Sequence, residues 1–302
     1  MQDVALLAID WGTTSTRAYA MDREGRIRSV RSAPLGVQRV VNGEFAQALR
    51  TLCGDATEGV PAIACGMIGS RQGWIEAPYC DCPADFDAVA AALTRAPDTE
   101  LAIVPGLLCR DDDGIADVMR GEETQILGAL SDSVAARQAV VLPGTHSKWA
   151  ITGPAGIEAF ATFMTGEMYA LLAEHSILGR LRAAGSDDAA FSRGVGHSLR
   201  ERAALTHDLF SARTLALTDA LAPSGVGDYL SGLLLGAEIK AARQWLQSMR
   251  LEGKPLTLIG APALVERYRM ALAMAGLHAD IAAEDAAARG LWRIARHAGL
   301  IG

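Results

Sequence analysis

The chain has 302 residues, of which half are hydrophobic and 21% are charged, so we expect a folded protein long enough for two domains. The formal net charge of -7 argues against general binding to nucleic acids or anionic membranes, because both require a basic surface. No apolar run has the length of a membrane span, and no basic and apolar leader stands at the N-terminus. These features predict a cytoplasmic protein that binds neither nucleic acid nor membrane.

Five cysteines are present, at positions 53, 65, 80, 82 and 109. Their number is odd, and no pair of them has the CxxC spacing of a metal or redox site. We therefore expect reduced thiols and no cysteine-bound metal.

The first part of the chain predicts strands, short helices and two loops. Apolar segments separated by turn residues predict strands at 4–11, 16–22, 26–33, 61–67 and 139–144. Helices are predicted near 43–56 and at 122–130, and loops at 66–74 and 109–123.

The second half predicts strands at 148–152 and 157–163 and then a mostly helical region from 166 to about 250, which includes a long apolar helix at 228–247. The end of the chain alternates again, with strands at 255–260 and 277–283 and helices at 261–276 and 285–299. This alternation predicts an α/β protein. We expect the apolar stripe of the long helix to serve packing.

Two segments repeat one pattern more than a hundred residues apart. GTTSTRAYAMDREGRI begins at Gly12 and GTHSKWAITGPAGI begins at Gly144, and both read G-T-x-S-x-x-A after an apolar strand. Glycine and hydroxyl residues in a turn present N–H and O–H donors that suit phosphate oxygens. For one such segment alone, a polar hairpin turn without a ligand would be the alternative. The repeat predicts two similar halves, each with a phosphate-binding hairpin.

Charged residues flank these turns. Asp10 ends the strand before the first turn, where a lone buried carboxylate would be costly, and it is the candidate ligand for Mg²⁺. Arg17 follows the turn and could add charge-assisted hydrogen bonds to phosphate. The second copy has Leu142 in place of the acid. There Lys148 either reaches a phosphate or is a solvated strand residue, and His146 is expected to be a local hydrogen-bonding group.

These motifs resemble those of a known superfamily. IDWGTTSTRAYAMD resembles the first phosphate motif of the actin–hexokinase–Hsp70 superfamily, LPGTHSKWAIT the second, LTLIGAPALVERY the adenosine motif and EDAAARGLWRIA the closing connecting helix. Within that superfamily, the chain resembles the 2-dehydro-3-deoxygalactonokinase family through GMIGSRQGWIEAPY, MRGEETQILG, PGTHSKW and FMTGEMYALLAEHSILG.

The resemblance implies an α/β fold of two ribonuclease H-like (actin-like ATPase) domains, at 1–134 and 135–302, with a nucleotide cleft between them. It implies ATP- and Mg²⁺-dependent phosphorylation of the 6-hydroxyl of 2-dehydro-3-deoxy-D-galactonate, giving ADP and the 6-phospho sugar acid in galactonate catabolism. A homodimer is a further expectation. The alternatives are a kinase for another sugar or sugar acid and a non-catalytic protein that binds the same ligands. A P-loop kinase is not expected, since no Walker A pattern occurs.

The nucleotide-binding candidates are the residues of the two turns and of the adenosine motif. They are Asp10, Gly12, Thr13, Thr14, Ser15, Thr16, Gly144, Thr145, Lys148, Gly260 and Pro262.

The base that accepts the proton of the substrate hydroxyl is expected at the helix in RGEETQILG. Related sugar kinases place a Gly-Asp pair there, so Glu122 stands at the position of the acid and Glu123 beside it, with Asp117 as a third candidate. The alternative is that these acids only place negative charge at a helix N-terminus. We count Arg17 with the catalytic candidates.

The sugar acid carries a carboxylate, so its pocket should contain a cation. The loop after the strand at 61–67 offers such a group together with polar and apolar neighbours, and its candidates are Arg71, Gln72, Trp74 and Glu76. Arg110 and Arg120 are second choices. Glu167 is a further substrate-binding candidate, whereas we expect Thr165 to cap the helix that begins there.

Overall fold

The computed structural model describes residues 4–54, 59–130, 136–202 and 204–302. They form two compact units: the first consists of Met1–Arg137, Ile151–Phe160 and Ala283–Gly302, and the second of Gln138–Ala150 and Ala161–Ala282. The predicted domain boundary between residues 134 and 135 lies outside the described residues. The predicted domains stay a prediction, and the contacts group the C-terminal segment with the first unit.

The strands and helices follow the predicted alternation. The strands are β1 (Leu6–Trp11), β2 (Thr16–Met21), β3 (Ile27–Ala33), β4 (Ala62–Gly66), β5 (Tyr79–Asp81), β6 (Thr94–Arg95), β7 (Ala102–Ile103), β8 (Gly106–Arg110), β9 (Ala116–Met119), β10 (Gln138–Leu142), β11 (Ser147–Gly153), β12 (Gly156–Phe163), β13 (Leu256–Leu258) and β14 (Ala279–Ile281). The helices are α1 (Phe45–Cys53), α2 (Phe86–Ala91), α3 (Glu122–Ala129), α4 (Thr165–His175), α5 (Asp188–Ser198), α6 (Leu205–Asp208), α7 (Ser211–Leu217), α8 (Val226–Ser248), α9 (Pro262–Met274) and α10 (Ala286–His297).

The first unit is built on a six-stranded sheet in the order β3–β2–β1–β4–β7–β6. β1 pairs antiparallel with β2 and parallel with β4, so the carboxyl ends of β1 and β4 lie at the same edge of the sheet. Because β1 is central and covered on both faces, its residues Leu6–Ile9 are all buried, which explains their unbroken apolar run.

The predicted loop at 109–123 is partly wrong. β8 and β9 pair antiparallel and form a smaller sheet with β5, in the order β5–β8–β9. Within this range, the acidic turn between β8 and β9 and the residues Arg120 and Gly121 before α3 are irregular. In the turn, Asp111 accepts hydrogen bonds from the N–H groups of Asp113 and Ile115. Such an Asp-centred turn is compatible with a hairpin, and short exposed strands carry little hydrophobic pattern by which to predict them.

Helices cover both faces of the six-stranded sheet. On one face, the buried side of α1 (Phe45, Leu49 and Leu52) packs into a cluster with Leu7 and Ile9 of β1. Elsewhere in the unit, α10 contacts α3, α2, β1 and β4. The C-terminal helix is thus part of the core of the first unit.

α3 and α10 cross at two glycines. A Cβ atom at Gly128 would lie 1.9 Å from the carbonyl oxygen of Ala286, and one at Gly290 would lie 1.9 Å from that of Thr124. Only glycine allows this approach, because any side chain would force the two backbones apart. The contact connects the C-terminal helix to the helix that carries Glu122 and Glu123.

The second unit contains most of a five-stranded sheet in the order β12–β11–β10–β13–β14. β10, β13 and β14 are parallel, so their carboxyl ends share one edge. α4, α5, α7 and α8 enclose a separate apolar cluster around Tyr229, Leu230 and Leu233. α5 and α8 also approach closely, since a Cβ at Gly194 would lie 2.2 Å from the carbonyl oxygen of Tyr229.

Among the described helices, none is both long enough and apolar enough to cross a membrane.

Replacing Gly290 with alanine should lower the free energy of unfolding by about 3 kcal/mol, since the new methyl group would overlap the Thr124 carbonyl. Urea unfolding measures this change. Gly196→Ala on α5 is the control, because a Cβ there would meet only Met274, at 3.7 Å. That variant should be up to about 1 kcal/mol more stable than the wild type. Equal effects of the two substitutions would contradict the proposed steric role of Gly290.

Candidate active site

The turn after β1 is held in place by its own backbone. The N–H of Gly12 donates to the carbonyl of Ser15, and the carbonyls of Gly12 and Thr13 accept from Val37 and Gln38. Gly36 lies so close to the turn that a Cβ there would be 2.3 Å from backbone atoms of Thr14. The turn is therefore supported along its length by the segment that follows β3.

The turn presents free donors. Thr13, Thr14 and Ser15 are exposed, and their N–H groups have no acceptor within the described part of the chain. Such N–H groups are available to phosphate oxygens. Thr16 differs: it is buried and its hydroxyl donates to the carbonyl of Leu35 at 2.9 Å. Its side chain supports the turn from behind.

Asp10 lies opposite Arg17 in the register of β1 with β2, and opposite Cys65 in that of β1 with β4. Burial raises the pKa of the Asp10 carboxyl, and the Arg17 guanidinium offsets part of that rise. Arg17 itself is exposed, and its Nη1 donates to the Tyr19 hydroxyl at 3.4 Å. A carboxylate and a guanidinium thus stand side by side just before and after the turn.

The end of β4 and the start of α3 meet next to Asp10. Gly66 adopts φ +91°, and a Cβ there would lie 2.8 Å from the Trp11 carbonyl oxygen and 3.6 Å from Oδ1 of Asp10. A Cβ at Gly121, the residue before α3, would lie 3.1 Å from the Cα of Gly66. Two glycines therefore bring the base candidates of α3 close to the Asp10 carboxylate.

The two adjacent glutamates of α3 have different surroundings. Glu122 is half-buried, and its Oε2 accepts from the N–H of Arg120 at 3.1 Å. Glu123 is fully buried, with Oε2 accepting from the N–H of Gly121 at 2.6 Å and Oε1 from the Thr124 hydroxyl at 2.9 Å. Only Glu122 keeps part of its surface accessible to a ligand.

The pKa of Glu123 is raised to about 7, first by burial and then by the neighbouring charge of Glu122, against hydrogen bonds that lower it. The pKa of the Cys65 thiol is also raised, by burial first and then by the charges of Asp10 and Glu123. Strongly shifted pKa values that cluster in this way are typical of functional sites. The sequence contains all of these residues, but only the fold shows that they are neighbours.

The four substrate-binding candidates in the loop after β4 differ in their exposure. The side chain of Arg71 is 87% exposed, and its Nε donates to Glu76 at 2.8 Å. Trp74 is half-buried and its ring stacks on Phe45, with 6.0 Å between the ring centroids. Gln72 is exposed. Arg71, Gln72 and Glu76 therefore face solvent, whereas Trp74 attaches the loop to the core.

Arg120 fixes this loop to the start of α3. Its Nη2 donates to the Ala77 carbonyl at 2.8 Å, and its guanidinium carbon lies 4.4 Å from the centroid of the Tyr79 ring. A Cβ at Gly69 would lie 3.0 Å from Nη1. One arginine thus holds the loop beside Glu122.

In the second unit, the turn at Gly144 lies against the start of α4. Glu167 donates its N–H to the Thr145 carbonyl at 3.0 Å, and a Cβ at Gly166 would lie 2.5 Å from the Gly144 carbonyl oxygen. The Nε2 of His146 contacts the carboxylate of Glu167. This helix N-terminus and turn resemble the donor arrangement that binds phosphate in other proteins.

Lys148 is not a solvated strand residue, so that alternative is wrong. It is 5% exposed, and its Nζ donates to the Thr162 hydroxyl at 2.6 Å. Lys148 follows the exposed His146 by two residues and lies on β11, the strand that leaves the turn.

A buried glutamate of the long helix, which the sequence analysis did not single out, supports the second turn. Glu238 of α8 is 3% exposed, and its carboxylate accepts from Ser147 at 2.9 Å and Trp149 at 2.8 Å, both on β11. The Tyr268 hydroxyl donates to it from α9, and Thr165 donates from α4. Burial raises the pKa of Glu238, and these four hydrogen bonds oppose that rise.

The prediction that Thr165 caps α4 is wrong. Met164 occupies the N-cap position without a side-chain hydrogen bond, and Thr165 is the first helical residue. Its hydroxyl is used by Glu238 instead. A hydrogen bond from the Thr165 hydroxyl to a charged carboxylate is stronger than a capping hydrogen bond to a backbone N–H.

The adenosine-motif candidates lie at the carboxyl end of β13. Gly260 adopts φ +157°, and a Cβ there would lie 3.6 Å from the Pro143 carbonyl oxygen, next to the second turn. Pro262 is the first residue of α9, where proline is favoured because its missing N–H has no helical acceptor. Gly260 therefore borders the turn at Gly144, and Pro262 follows Gly260 by two residues.

No group of three or more His, Cys, Asp or Glu side chains suited to a metal ion occurs in the described ranges. Mg²⁺ does not require such a group, because it usually keeps several waters and binds one or two carboxylates together with substrate phosphates. The carboxylate of Asp10, which is partly accessible at the carboxyl end of β1, is a donor of the right kind. The residues present therefore fit a Mg²⁺ ion bound with nucleotide.

Comparison with solved structures identifies the class of fold. The activator of 2-hydroxyisocaproyl-CoA dehydratase from Clostridium difficile, with bound ADPNP, aligns over 98% of this chain and 96% of its own, with a TM-score of 0.53 and 9% identity. At that identity the likeness concerns the fold alone. The chain thus shares its α/β fold with this activator.

Sequence comparison identifies the family. The family model described as 2-keto-3-deoxy-galactonokinase matches residues 10–294. The 2-dehydro-3-deoxygalactonokinase of Escherichia coli (strain K12) is 35% identical over 294 residues, covering 97% of each chain. A relative from Rhizobium meliloti (strain 1021), named a probable 2-dehydro-3-deoxygalactonokinase, is 37% identical over 309 residues, covering 94% of this chain and 97% of its own.

A crystal structure of a Sinorhizobium meliloti protein assigned the same activity agrees with this result. It is 36% identical and has a TM-score of 0.84, covering 96% of this chain and 98% of its own. The chain belongs to the 2-keto-3-deoxy-galactonokinase family, whose members are sugar-acid kinases that use ATP.

Replacing Glu238 with alanine should lower the free energy of unfolding by about 3–5 kcal/mol, because four buried donors would lose their charged acceptor. Glu238→Gln keeps the shape and some of the hydrogen bonds, so its loss should be smaller. Urea unfolding of both variants measures the difference. A change below 1 kcal/mol for Glu238→Ala would contradict the supporting role of this carboxylate.

Glu123 should make stability depend on pH. Its pKa is about 7 in the folded chain against 4.5 as the ordinary value, so the folded state keeps a proton that the unfolded state loses between these values. The stabilisation is complete below pH 4.5 and lost as pH rises through 7, by roughly 3 kcal/mol in total.

The measurement is urea unfolding from pH 5 to pH 8 of the wild type and Glu123→Gln. The variant should show a smaller fall in unfolding free energy over this range. Glu174→Gln, at a side chain that is 63% exposed, is the control and should follow the wild type. Parallel curves for the wild type and Glu123→Gln would contradict the raised pKa.

Proposed function

We propose that the chain transfers the γ-phosphoryl group of ATP to the 6-hydroxyl of 2-dehydro-3-deoxy-D-galactonate, giving ADP and 2-dehydro-3-deoxy-6-phosphogalactonate in galactonate catabolism. The full-length relatives named for this activity support the choice of substrate. The single structural observation that carries it is the approach of the α3 glutamates to Asp10 through Gly66 and Gly121. It brings a base candidate beside a carboxylate suited to Mg²⁺.

Glu122 is the proposed base. It is the accessible member of the pair, whereas both carboxylate oxygens of Glu123 are buried and hydrogen-bonded within the helix start. Glu122 accepts the proton of the 6-hydroxyl as its oxygen bonds to the γ-phosphorus and the bond to the ADP oxygen breaks. Glu123 holds the N–H of Gly121 and so positions Glu122.

The turns bind the phosphate groups of the nucleotide. In the first unit, the free N–H groups of Thr13, Thr14 and Ser15 donate to phosphate oxygens, and Arg17 neutralises charge on the transferred group. In the second unit, Gly144 and Thr145 supply the corresponding turn.

Three further residues of the second unit complete the nucleotide assignments. Lys148 supplies positive charge behind the turn at Gly144. Gly260, which borders that turn, and Pro262, which begins α9, contribute backbone next to the nucleoside. Thr16, in the first unit, keeps a supporting role only.

Asp10 would hold Mg²⁺, which when bound would neutralise charge on the phosphate oxygens. The carboxylate lies at the carboxyl end of β1, directly before the turn. Arg17 stands opposite it in the strand register, so the positive charge of this side chain faces the same region. The chain therefore provides charge compensation from two directions.

Arg71 is the proposed partner of the substrate carboxylate. Its exposed guanidinium is held by Glu76 and can exchange that partner for a planar carboxylate. Gln72 and Glu76 are the proposed hydrogen-bonding groups for sugar hydroxyls, and Trp74 forms an apolar wall from its stacked position. Glu167 remains the substrate-binding candidate of the second unit.

The function is tested by ADP release over a panel of 2-keto-3-deoxy sugar acids and neutral hexoses, with and without Mg²⁺. We expect Mg²⁺-dependent turnover of 2-dehydro-3-deoxy-D-galactonate and little with neutral hexoses. Arg71→Ala should raise KM for the sugar acids selectively. Turnover confined to neutral hexoses would contradict the proposed substrate.

Replacing Glu122 with glutamine should lower kcat by about 10²–10⁴-fold, because the hydroxyl proton loses its acceptor. The KM for ATP should change little, since Glu122 is placed on the acceptor side. Steady-state kinetics of Glu122→Gln and the matched Glu123→Gln give the comparison, with circular dichroism to check folding. A larger kcat loss in Glu123→Gln than in Glu122→Gln would move the base to Glu123.

A further inference from the structure

Two opposite charges on neighbouring strands of the first unit do not pair with each other. Asp10 of β1 and Arg17 of β2 stand directly opposite in the antiparallel register. Side chains in such positions are close enough to interact, and opposite charges there attract each other. Within the part of the chain that the structure describes, Arg17 nevertheless forms no ion pair with Asp10. Another group therefore holds the guanidinium.

That group is Tyr19. It stands two residues beyond Arg17 on β2, so both side chains project from the same face of the sheet, as does Asp10. Nη1 of Arg17 donates to the Tyr19 hydroxyl at 3.4 Å, and the hydroxyl is the acceptor because a guanidinium has only donors. Tyr19 is 4% exposed, whereas Arg17 is exposed. A side chain fixed by packing thus holds one that reaches into solvent.

The hydrogen bond to Tyr19 leaves both charged groups available to ligands. Among the described residues, none donates a hydrogen bond to the Asp10 carboxylate or forms an ion pair with it. Arg17 uses one of its five N–H donors on Tyr19, so four remain. An ion pair between Asp10 and Arg17 would occupy donors that can bind phosphate. It would also occupy a carboxylate oxygen, which Mg²⁺ would then have to win from the guanidinium.

We propose, on the basis of the function proposed above, that Tyr19 is a positioning residue whose hydroxyl holds Arg17 apart from Asp10. The carboxylate then stays open to Mg²⁺ and the guanidinium to phosphate. Because its side chain is buried, Tyr19 acts through Arg17 and contacts neither nucleotide nor sugar acid itself. Phenylalanine at this position would keep the ring and its packing but lose the acceptor. Arg17 would then turn to Asp10.

The test is isothermal titration of a non-hydrolysable ATP analogue into the full chain at a fixed, sub-saturating Mg²⁺ concentration. Tyr19→Phe should raise the Kd about fivefold, which is the cost of breaking a partly exposed ion pair. A higher Mg²⁺ concentration should restore the wild-type Kd, because Mg²⁺ displaces Arg17 from Asp10 by mass action. Tyr229→Phe removes the hydrogen-bonded hydroxyl of another buried tyrosine and is the matched control, which should bind like the wild type.

A double-mutant cycle with Arg17→Gln separates this role from a loss of packing. Glutamine removes the positive charge that would compete for Asp10. Adding Tyr19→Phe to Arg17→Gln should therefore leave the Kd for the analogue unchanged. If Tyr19 only supported the packing of β2, Tyr19→Phe would weaken binding by the same factor in both backgrounds, and that result would overturn the proposal.

A crystal structure of Tyr19→Phe gives a readout that does not depend on binding. We expect an Arg17 nitrogen within about 4 Å of an Asp10 oxygen, whereas a guanidinium that still points away from Asp10 would overturn the proposal. An equal Kd for wild type and Tyr19→Phe at every Mg²⁺ concentration would also overturn it, while the proposed function would stand. Wild-type chain that binds no analogue with Mg²⁺ would instead contradict the proposed function, and the role of Tyr19 with it.

Discussion

The close backbone approach at Gly66 is the constraint on which the candidate active site depends. Because this residue has no side chain, the end of β4 can lie against the Trp11 carbonyl on one side and against Gly121 on the other. The Asp10 carboxylate and the start of α3 are brought together as a result. Gly128 and Gly290 support this arrangement, since they allow α10 to pack closely against α3.

In the second unit, a buried carboxylate holds the elements around the turn at Gly144 in place. Glu238 accepts hydrogen bonds from β11, α4 and α9. It thereby fixes β11, the strand after the second turn, relative to α4. A buried carboxylate of this kind is tolerated because four side chains donate hydrogen bonds to it. Removing it would leave those donors without partners. The turn at Gly12 is instead held by backbone hydrogen bonds and by the Thr16 hydroxyl.

Local patterns predicted most of the elements, because burial on a central strand or a helix face leaves a period in the sequence. β1, β10 and the long helix α8 follow this rule. The role of Glu238 could not be predicted, since its partners lie up to 91 residues away and only the packing of α8 brings them together. The same holds for Arg120, whose contacts with Ala77 and Tyr79 depend on how the loop folds back.

The central claim is that Glu122, and not its buried neighbour, faces the hydroxyl that is phosphorylated. The most direct measurement is a crystal structure of the chain with Mg²⁺, a non-hydrolysable ATP analogue and 2-dehydro-3-deoxy-D-galactonate. The account predicts a Glu122 carboxylate oxygen within about 2.6–3.2 Å of the 6-hydroxyl oxygen. A complex in which Glu122 points away from that hydroxyl and Glu123 contacts it would contradict the account.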